Sequence, residues 1–555
     1  MKPSVRLLII SVVSVALLIP LWMLRWRAGA HTQAEMPRVT AIPAVKFAQS
    51  VAVRDLPSVE VDPTQQDESK VIERKEESED EQGRERTLSA LAQAANGIDP
   101  AIQKPMPQAE ALSGPTVSFD GLSYQDNVRL LGGSGVPADP NGDVGPNHYA
   151  QMVNLTFRVW DKQGHPLTPA RLLSDLFVPL GPPAGTGLGG SPIVLYDPLA
   201  DRWLLSQVFN ASPTTLLPSH ELIAISKTGD PTGEYYLYDF VMPGNRFPDY
   251  PHLGVWTDGY YMTANQIQVP LSVGPGVYAF DKRKMLVGDP TASFLYFDTV
   301  LLDSPPVGLL PADIDGLRPP PPGAPNVLAA LGNSTTIRVF ECHADFVNPA
   351  ASTLTEKPRI TVAAYDARDP SGRNDIEQPV PATPTVAPCN APPCYYLDAF
   401  QSQLMHRLAY RNYGTHESLA VTHTVNVSGV TPSTYQTHQA GIRYYEFRRP
   451  PGGNFGAQEQ GTFAPDTENR WMGSAAMDGA GNLAVGYSIS SLTTFPSIRY
   501  AARLANDPPG GLIQGEASLH EGTGTQRSAT GRWGDYSSLS VDPVDDSTFW
   551  YTTEY

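Results

Sequence analysis

Along most of the chain, short runs of alternating apolar and polar residues are separated by turns built on aspartate, glycine and proline. In "GGSPIVLYDPLADRWLLSQVF", from Gly189, a strand pattern meets Asp197-Pro198, then Asp201, then a second strand led by Trp203. "FPDYPHLGVWTDGYYMTANQI" from Phe247, "RWMGSAAMDGAGNLAVGYSIS" from Arg470 and "GDYSSLSVDPVDDSTFWYTTEY" from Gly534 repeat the plan. Alternation with a period of two predicts strands, and the Asp-Pro, Asp-Gly and Gly-Asn dipeptides predict tight reversals, so each stretch reads as a β-hairpin. "PNHYAQMVNLTFRVWDK" from Pro146 parallels "PNVLAALGNSTTIRVFE" from Pro325, and a further hairpin lies in "THESLAVTHTVNVSGV" from Thr415.

Such units start near residues 143, 190, 249, 312, 416, 471 and 534. A repeat made only of short strands predicts an all-β fold, a β-propeller, in which radial stacking buries the apolar face that one unit cannot bury alone. Seven blades over residues 116–555 are expected. Six and eight are the alternative counts, because the units near 312 and 416 are loosely delimited. The sequence stops inside its last hairpin, and "GPTVSFDGLSY", Gly114 to Tyr124, is expected to add the strand that completes this blade and covers its edge. A truncated chain is the competing explanation. Trp160, Trp203, Trp256, Trp471, Trp533 and Trp550 fall mostly on these hairpin strands and are expected between blades as core.

The beginning of the chain differs. An apolar run from Leu7 to Leu24, flanked by Lys2, Arg6, Arg25 and Arg27, reads as a signal anchor or signal peptide over residues 1–30, followed by Ala28-Gly29-Ala30 as a cleavage pattern. A retained anchor would be a transmembrane helix with the membrane as partner, and both readings place the remainder outside the cytoplasm. Residues 31–115 have few aromatics and a charge run, Arg54 to Arg86, with 12 carboxylates against 6 basic groups. They are expected to be a disordered acidic linker.

Composition narrows the classes further. Glycine and proline, 47 and 54 of 555 residues, disfavour helices, and a net charge of −18 argues against a nucleic-acid backbone as partner. Only Cys342, Cys389 and Cys394 occur, so neither a disulfide framework nor a Cys-x-x-Cys zinc site is available; Cys389 and Cys394 either close a small loop or stay free.

The stretches "GDVGPNHYAQMVN", "VLYDPLADRWLLSQ", "ISKTGDPTGEYYLYDF", "RLAYRNYGTHESLAV" and "RWGDYSSLSVDPVDDSTFWYTTEY" resemble a family of secreted bacterial β-propeller proteins, sialidase-like and BNR-repeat-like in appearance. The resemblance runs from about Asp120 to Tyr555 and implies the fold more firmly than an activity.

Familiar catalytic motifs are missing or misplaced. "GTGLGG" (Gly185 to Gly190) precedes a strand instead of opening a helix, His416, Glu417 and His423 do not form H-E-x-x-H, and no G-x-S-x-G elbow occurs. A sialidase-like site at the channel mouth would draw on Arg411, Arg470, Arg499 with Tyr500, Arg532, Glu417 and Asp535. Asp143, Asp249, Asp313, Asp535 and Glu417 each stand before an apolar strand. On innermost strands they would converge on the axis and repel, unless Ca²⁺ or Mg²⁺ or raised pKa values relieved them; otherwise each caps a local turn. Asp139, Asn141 and Asp143 alternate like the first half of a calcium loop, yet Ala150 stands where the bidentate Glu belongs, which leaves only a looser Ca²⁺ loop. The expected function is a monomeric, membrane-tethered or secreted binding or scaffold module for a glycan or protein ligand, with Glu417, Arg411, Arg470 and Asp535 at the mouth. The alternative is a sialidase-like glycoside hydrolase at the same place.

Overall fold

The computed structural model describes residues 39, 41–57, 60–67, 70–73, 98–103, 112–184, 189–210, 218–268, 271–302, 304–367, 374–380, 395–430, 434–526 and 531–555. The apolar N-terminal run and both Cys389 and Cys394 lie outside these residues; Cys342 is buried and free. No helix among the described residues is long and apolar enough to cross a membrane.

The fold is all-β with a propeller arrangement. Among the described residues, seven strands line the axis: β1 (Asn141–Val144), β2 (Gly189–Asp197), β3 (Phe247–Val255), β4 (Leu310–Ile314), β5 (Met405–Asn412), β6 (Asn469–Met477) and β7 (Ser538–Val541). Each stands beside the next, and β7 stands beside β1, so the circle closes. The strands that follow each of them run outward as antiparallel meanders. The predicted hairpins are present: Trp203 pairs with Tyr196 across the Asp197 turn, and Met477 pairs with Leu483 across the Asp478 turn. Their aspartates do local work. Asp197 Oδ1 accepts the N–H groups of Leu199 and Ala200 at 3.0 and 3.1 Å, and Asp478 Oδ1 accepts those of Ala480 and Asn482 at 2.9 Å each. The core lies between sheets, with Trp160, Trp203, Trp256 and Trp471 fully buried and Trp550 half-buried.

Three expectations need correction. The unit placed near residue 416 starts earlier, because Glu417–Asn426 is the second strand of its sheet and β5 is the first. Axial strands β4 and β5 also hydrogen-bond to each other in parallel, Asp313 opposite Ala409, which merges two units into one nine-stranded sheet. The segment 114–124 adds no strand to the last sheet, which among the described residues consists of β7 and β8 (Phe549–Thr552). It is pinned by side chains instead. Phe119 packs on Trp160 and Tyr149, Leu122 N–H donates to Gln151 Oε1 at 2.7 Å, and Tyr555 Oη donates to Asp120 at 3.0 Å.

Part of the stretch expected as a disordered linker is ordered. Ala41–Pro43 pairs with Ser293–Asp298 at the outer edge of the β3 sheet, and Lys46–Gln49 pairs with Tyr235–Val241 at the outer edge of the β2 sheet. Covering an edge satisfies backbone groups that would otherwise face solvent or another chain. Further along, Asp99 accepts from the fully buried Arg443 at 2.6 Å and from Thr462 at 2.7 Å, fixing residues 98–103 to the β5 sheet.

Candidate active site at the channel mouth

Axial strands of neighbouring blades mostly do not hydrogen-bond to one another, so their buried N–H groups need other acceptors. Polar side chains on β1 and β4 supply them. Asn141 Oδ1 accepts from Val194 N–H at 2.6 Å, Asp143 Oδ2 from Tyr196 N–H at 2.7 Å, and Asp313 Oδ1 from Val255 N–H at 2.8 Å. Gly254 lets β3 approach β4 this closely, since a Cβ there would stand 2.4 Å from the Ala312 carbonyl oxygen. With its oxygen engaged, the Asn141 amide must donate through Nδ2 to His406 Nε2 at 3.0 Å, which makes that ring nitrogen the unprotonated one.

At the same depth a single cation spans the axis. Arg407 Nε donates to Asp313 Oδ2 at 2.9 Å, its two terminal nitrogens donate to Asp315 at 3.1 and 2.6 Å, and one of them also reaches Leu539 O of β7 at 2.9 Å. Asp143 lies within electrostatic range of both Arg407 and Asp313. Burial pushes the Asp143 carboxyl up to about 7, against the pull of Arg407 and with a further push from Asp313. Asp313 is raised as well, again chiefly by burial. Asp143 and Asp313, two of the carboxylates expected on the axis, thus both feel the same guanidinium, and only Asp313 is bonded to it. Among the described residues, no group of three or more His, Cys, Asp or Glu side chains could hold a metal ion. Asp139, Asn141, Asp143, Asp249 and Asp313 do not form one site: Asp249 stands six residues before Val255 on β3, roughly 15–20 Å along the strand from the Asp313 level.

Asp249 belongs to the other end of the axis, at the mouth, where the axial strands begin. There each of the seven strand approaches holds a left-handed residue, namely Asp139 (φ 46°), Ser191 (44°), Tyr250 (53°), Gly308 (56°), Phe400 (51°), Met472 (54°) and Asp535 (71°), with Gly534 (62°) a second one beside Asp535. Six of these are not glycine, and such residues cost on the order of 1–3 kcal/mol each and gather at functional sites. On β3 the cause is local. Pro248 and Pro251 flank the left-handed residue, cannot donate to the ladder, and the register slips between Asp249 and His252.

The mouth is tied together by these kinks. Asp139 N–H donates to Gly534 O at 2.9 Å and Tyr250 Oη to Asp535 O at 3.4 Å. Tyr250 meets Tyr536 and Phe400 with ring centres 5.6 and 5.3 Å apart, and His252 stacks on His406 at 4.8 Å beneath them. Both imidazoles are buried and held neutral: burial lowers His252 to about 3 and His406 well below its usual value. Asp535 is gripped by Arg532, whose Nε donates to Oδ1 at 2.8 Å while the second arm meets Oδ2. On the other side of the same turn, Glu554 Oε2 accepts Gly534 N–H at 2.7 Å, and burial of the carboxyl end of this half-buried side chain pushes it up to about 7.

Of the four residues expected at the mouth, only Asp535 is there. Glu417 starts a second strand and accepts from Tyr410 Oη and Arg449, both at 2.6 Å. Arg411 pairs with Asp546 at 2.7 Å beyond the far end of the axis. Arg470 turns outward to Asp466 and to Glu516 of the outermost strand of its sheet, each at 2.7 Å, and Arg499 shares Glu516 at 3.2 Å. The arginines a sialidase would bring together on a substrate carboxylate are thus engaged by carboxylates of the protein at separate places. Sequence reasoning missed Tyr250, His252, Phe400, His406, Arg532 as the Asp535 partner, and Glu554. Only the Pro-x-x-Pro frame of Tyr250 left a readable signal.

No protein-family model matches the chain, and no curated protein matches it. Solved structures do. An exo-beta-1,3-galactanase from Clostridium thermocellum is 10% identical over 70% of this chain and 80% of its own, with a TM-score of 0.29. An alpha-L-arabinanase from Penicillium chrysogenum is 11% identical over 66% and 94%, with a TM-score of 0.30. A subtype N11 neuraminidase-like protein (H18N11, flat-faced bat) is 6% identical over 57% and 72%, with a TM-score of 0.31. The expectation of a binding or scaffold module is corrected at this point to the alternative reading: the galactanase and arabinanase carry the names of glycoside-cleaving enzymes, and with TM-scores of 0.29 and 0.30 they say nothing further about this chain. The conditional expectation, that any catalysis would be glycoside hydrolysis, agrees with them too. The propeller arrangement itself rests on the sheets of this chain.

Proposed function

We propose that this protein is a glycoside hydrolase, built as a seven-bladed propeller and working outside the cytoplasm, with its site at the channel mouth. One observation carries the reading: Asp535, paired with Arg532, and Glu554, which accepts the N–H of the adjoining Gly534, meet at one turn in different electrostatic surroundings. Asp535, against a guanidinium, is the carboxylate. Glu554, pushed up to about 7 by burial, holds a proton near neutrality. Glycoside cleavage needs such a pair, one group protonating the leaving oxygen and the other acting as nucleophile or activating water. The Tyr250, Phe400 and Tyr536 rings lie in the buried core beside this turn and hold it in place.

A panel of aryl glycosides tests the reading. Hydrolysis should fall by roughly 100- to 10,000-fold in Asp535→Asn and Glu554→Gln, and the alkaline limb of kcat/KM, set near pH 7 by Glu554, should disappear in the second variant. Turnover that survives Asp535→Asn, or a wild type inert across neutral and acidic sugars, would sink it.

A further inference from the structure

The turn that carries Asp535 is held from outside its own blade. Residues 374–380 and 395–404 lead into β5, and Ile376 and Leu397 exchange backbone hydrogen bonds there at 2.9 Å each. This neck shares a core with the turn, since Ile376, Leu397 and Phe400 pack in one cluster with Trp533 and Tyr536. It also grips the chain ahead of the turn. Asp398 N–H donates to Gly531 O at 2.8 Å, and Thr525 Oγ1 donates to Pro379 O at 2.8 Å. The fully buried Gln378 does more. Its Oε1 accepts Gln526 N–H at 2.8 Å, and its Nε2 donates to Gln526 O at 3.1 Å and to Tyr395 O. One side-chain amide thus pairs both backbone groups of Gln526, as a neighbouring strand would. The Gln526 side chain then reaches the mouth: its Nε2 donates to Glu554 Oε1 at 3.3 Å, while Glu554 Oε2 accepts Gly534 N–H at 2.7 Å.

We propose that Gln526 is the positioning residue of the Glu554 carboxyl and that Gln378 holds it in place, so that the stretch ahead of β5 sets the acid of the last blade. The effect on turnover rests on the reading of Glu554 as the general acid; the placement of the carboxyl does not. With a hydrogen bond on each oxygen, rotation of the carboxyl breaks both bonds, and an acid fixed this way meets its substrate in one geometry. The sign of the electrostatic effect follows from the donor. An N–H on Oε1 favours the charged form and so opposes burial, which raises this carboxyl. The surrounding groups are engaged with one another: Asp535 with Arg532, Asp139 with Gly534 O through its N–H, and Tyr555 with Asp120 and the His520 ring. Substituting Gln526 removes none of these contacts.

The test titrates the infrared carboxyl band that Glu554→Gln abolishes, in the full chain with and without Gln526→Ala. Loss of the donor should move the midpoint up by roughly 0.5–1 pH unit. The alkaline limb of kcat/KM should move with it, while kcat falls about 10-fold and KM stays. An unmoved or lowered midpoint would overturn the proposal. Gln378→Ala should reproduce the shift, and combining it with Gln526→Ala should add nothing, because both act through one side chain. Additive shifts would overturn the role of Gln378. Should Gln378→Ala fail to fold, the half-buried Gln526 still decides the matter through its own variant. A midpoint that moves as expected in a protein without glycoside turnover would uphold the placement of Glu554 and overturn the hydrolase reading instead.

Discussion

The β4–β5 region and the β7–β8 region occupy equivalent places in the ring and are held in opposite ways. The former is a single nine-stranded sheet whose axial strands share a parallel ladder, Ala312–Ile314 against Leu408–Tyr410. The latter is a two-stranded ribbon, Ser538–Val541 against Phe549–Thr552. A lone hairpin is marginal in water. This one stands because its two faces are claimed by different neighbours. Trp550 stacks on Tyr149 of the β1 sheet at 5.1 Å, while Phe549 and Tyr551 lie with Ala476 and Ala484 of the β6 sheet. Alternation along a strand lets one short hairpin serve as the filling of a sandwich. The comparison teaches that ring closure here rests on ladder hydrogen bonds at one place and on side-chain packing at the other, with Arg407 linking the two through Leu539 O.

The link is the most vulnerable point. Arg407→Leu should lower the unfolding free energy by about 3–5 kcal/mol, since it strands buried carboxylates without their partner; chemical denaturation reads this, and a loss under about 1 kcal/mol would mean the two regions are coupled by packing alone. Next comes Trp550→Ala, which should cost roughly 2–3 kcal/mol for a half-buried indole. Its effect should be local: hydrogen exchange should speed up across β7 and β8 and leave β4 and β5 protected. Equal loss of protection in both regions would erase the contrast.

Acid sharpens the comparison from the β3–β5 side. His252 and His406 are neutral when folded and take up protons when unfolded, so stability should drop as pH falls below about 6.5 toward 3. His252→Phe should flatten that limb in a pH series of melts. Neither ring nitrogen of His252 has a partner among the described residues, so little bonding is lost by the change. The smallest effect should come from Tyr410→Phe on β5, about 1 kcal/mol for one hydrogen bond to a Glu417 that keeps Arg449. A cost above about 3 kcal/mol would show that the merged sheet depends on this contact more than on its ladder.

Local chemistry made the hairpins readable from residues alone. The Asp197 and Asp478 turns are satisfied within five residues, alternation marks the buried face, and the tryptophans announce the packing between sheets. A charge of −18 and the scarcity of cysteine likewise argued against a nucleic-acid partner and a disulfide framework. The site was not readable, because it depends on distances between strands hundreds of residues apart. Nothing near Asp249 says that it stands several residues above Asp313, nor that Arg407 meets Asp313 across 94 positions. Left-handed φ at Asp139, Tyr250 or Met472 has no sequence mark, since glycine is the residue that usually signals it. The edge strands from residues 41–49 were hidden for the same reason: a three- or four-residue segment carries little propensity, and it becomes a strand only where a finished sheet presents an open edge to pair with. Short-range turn chemistry and alternation are written in neighbouring residues, whereas convergence of charge on an axis is a property of the closed ring.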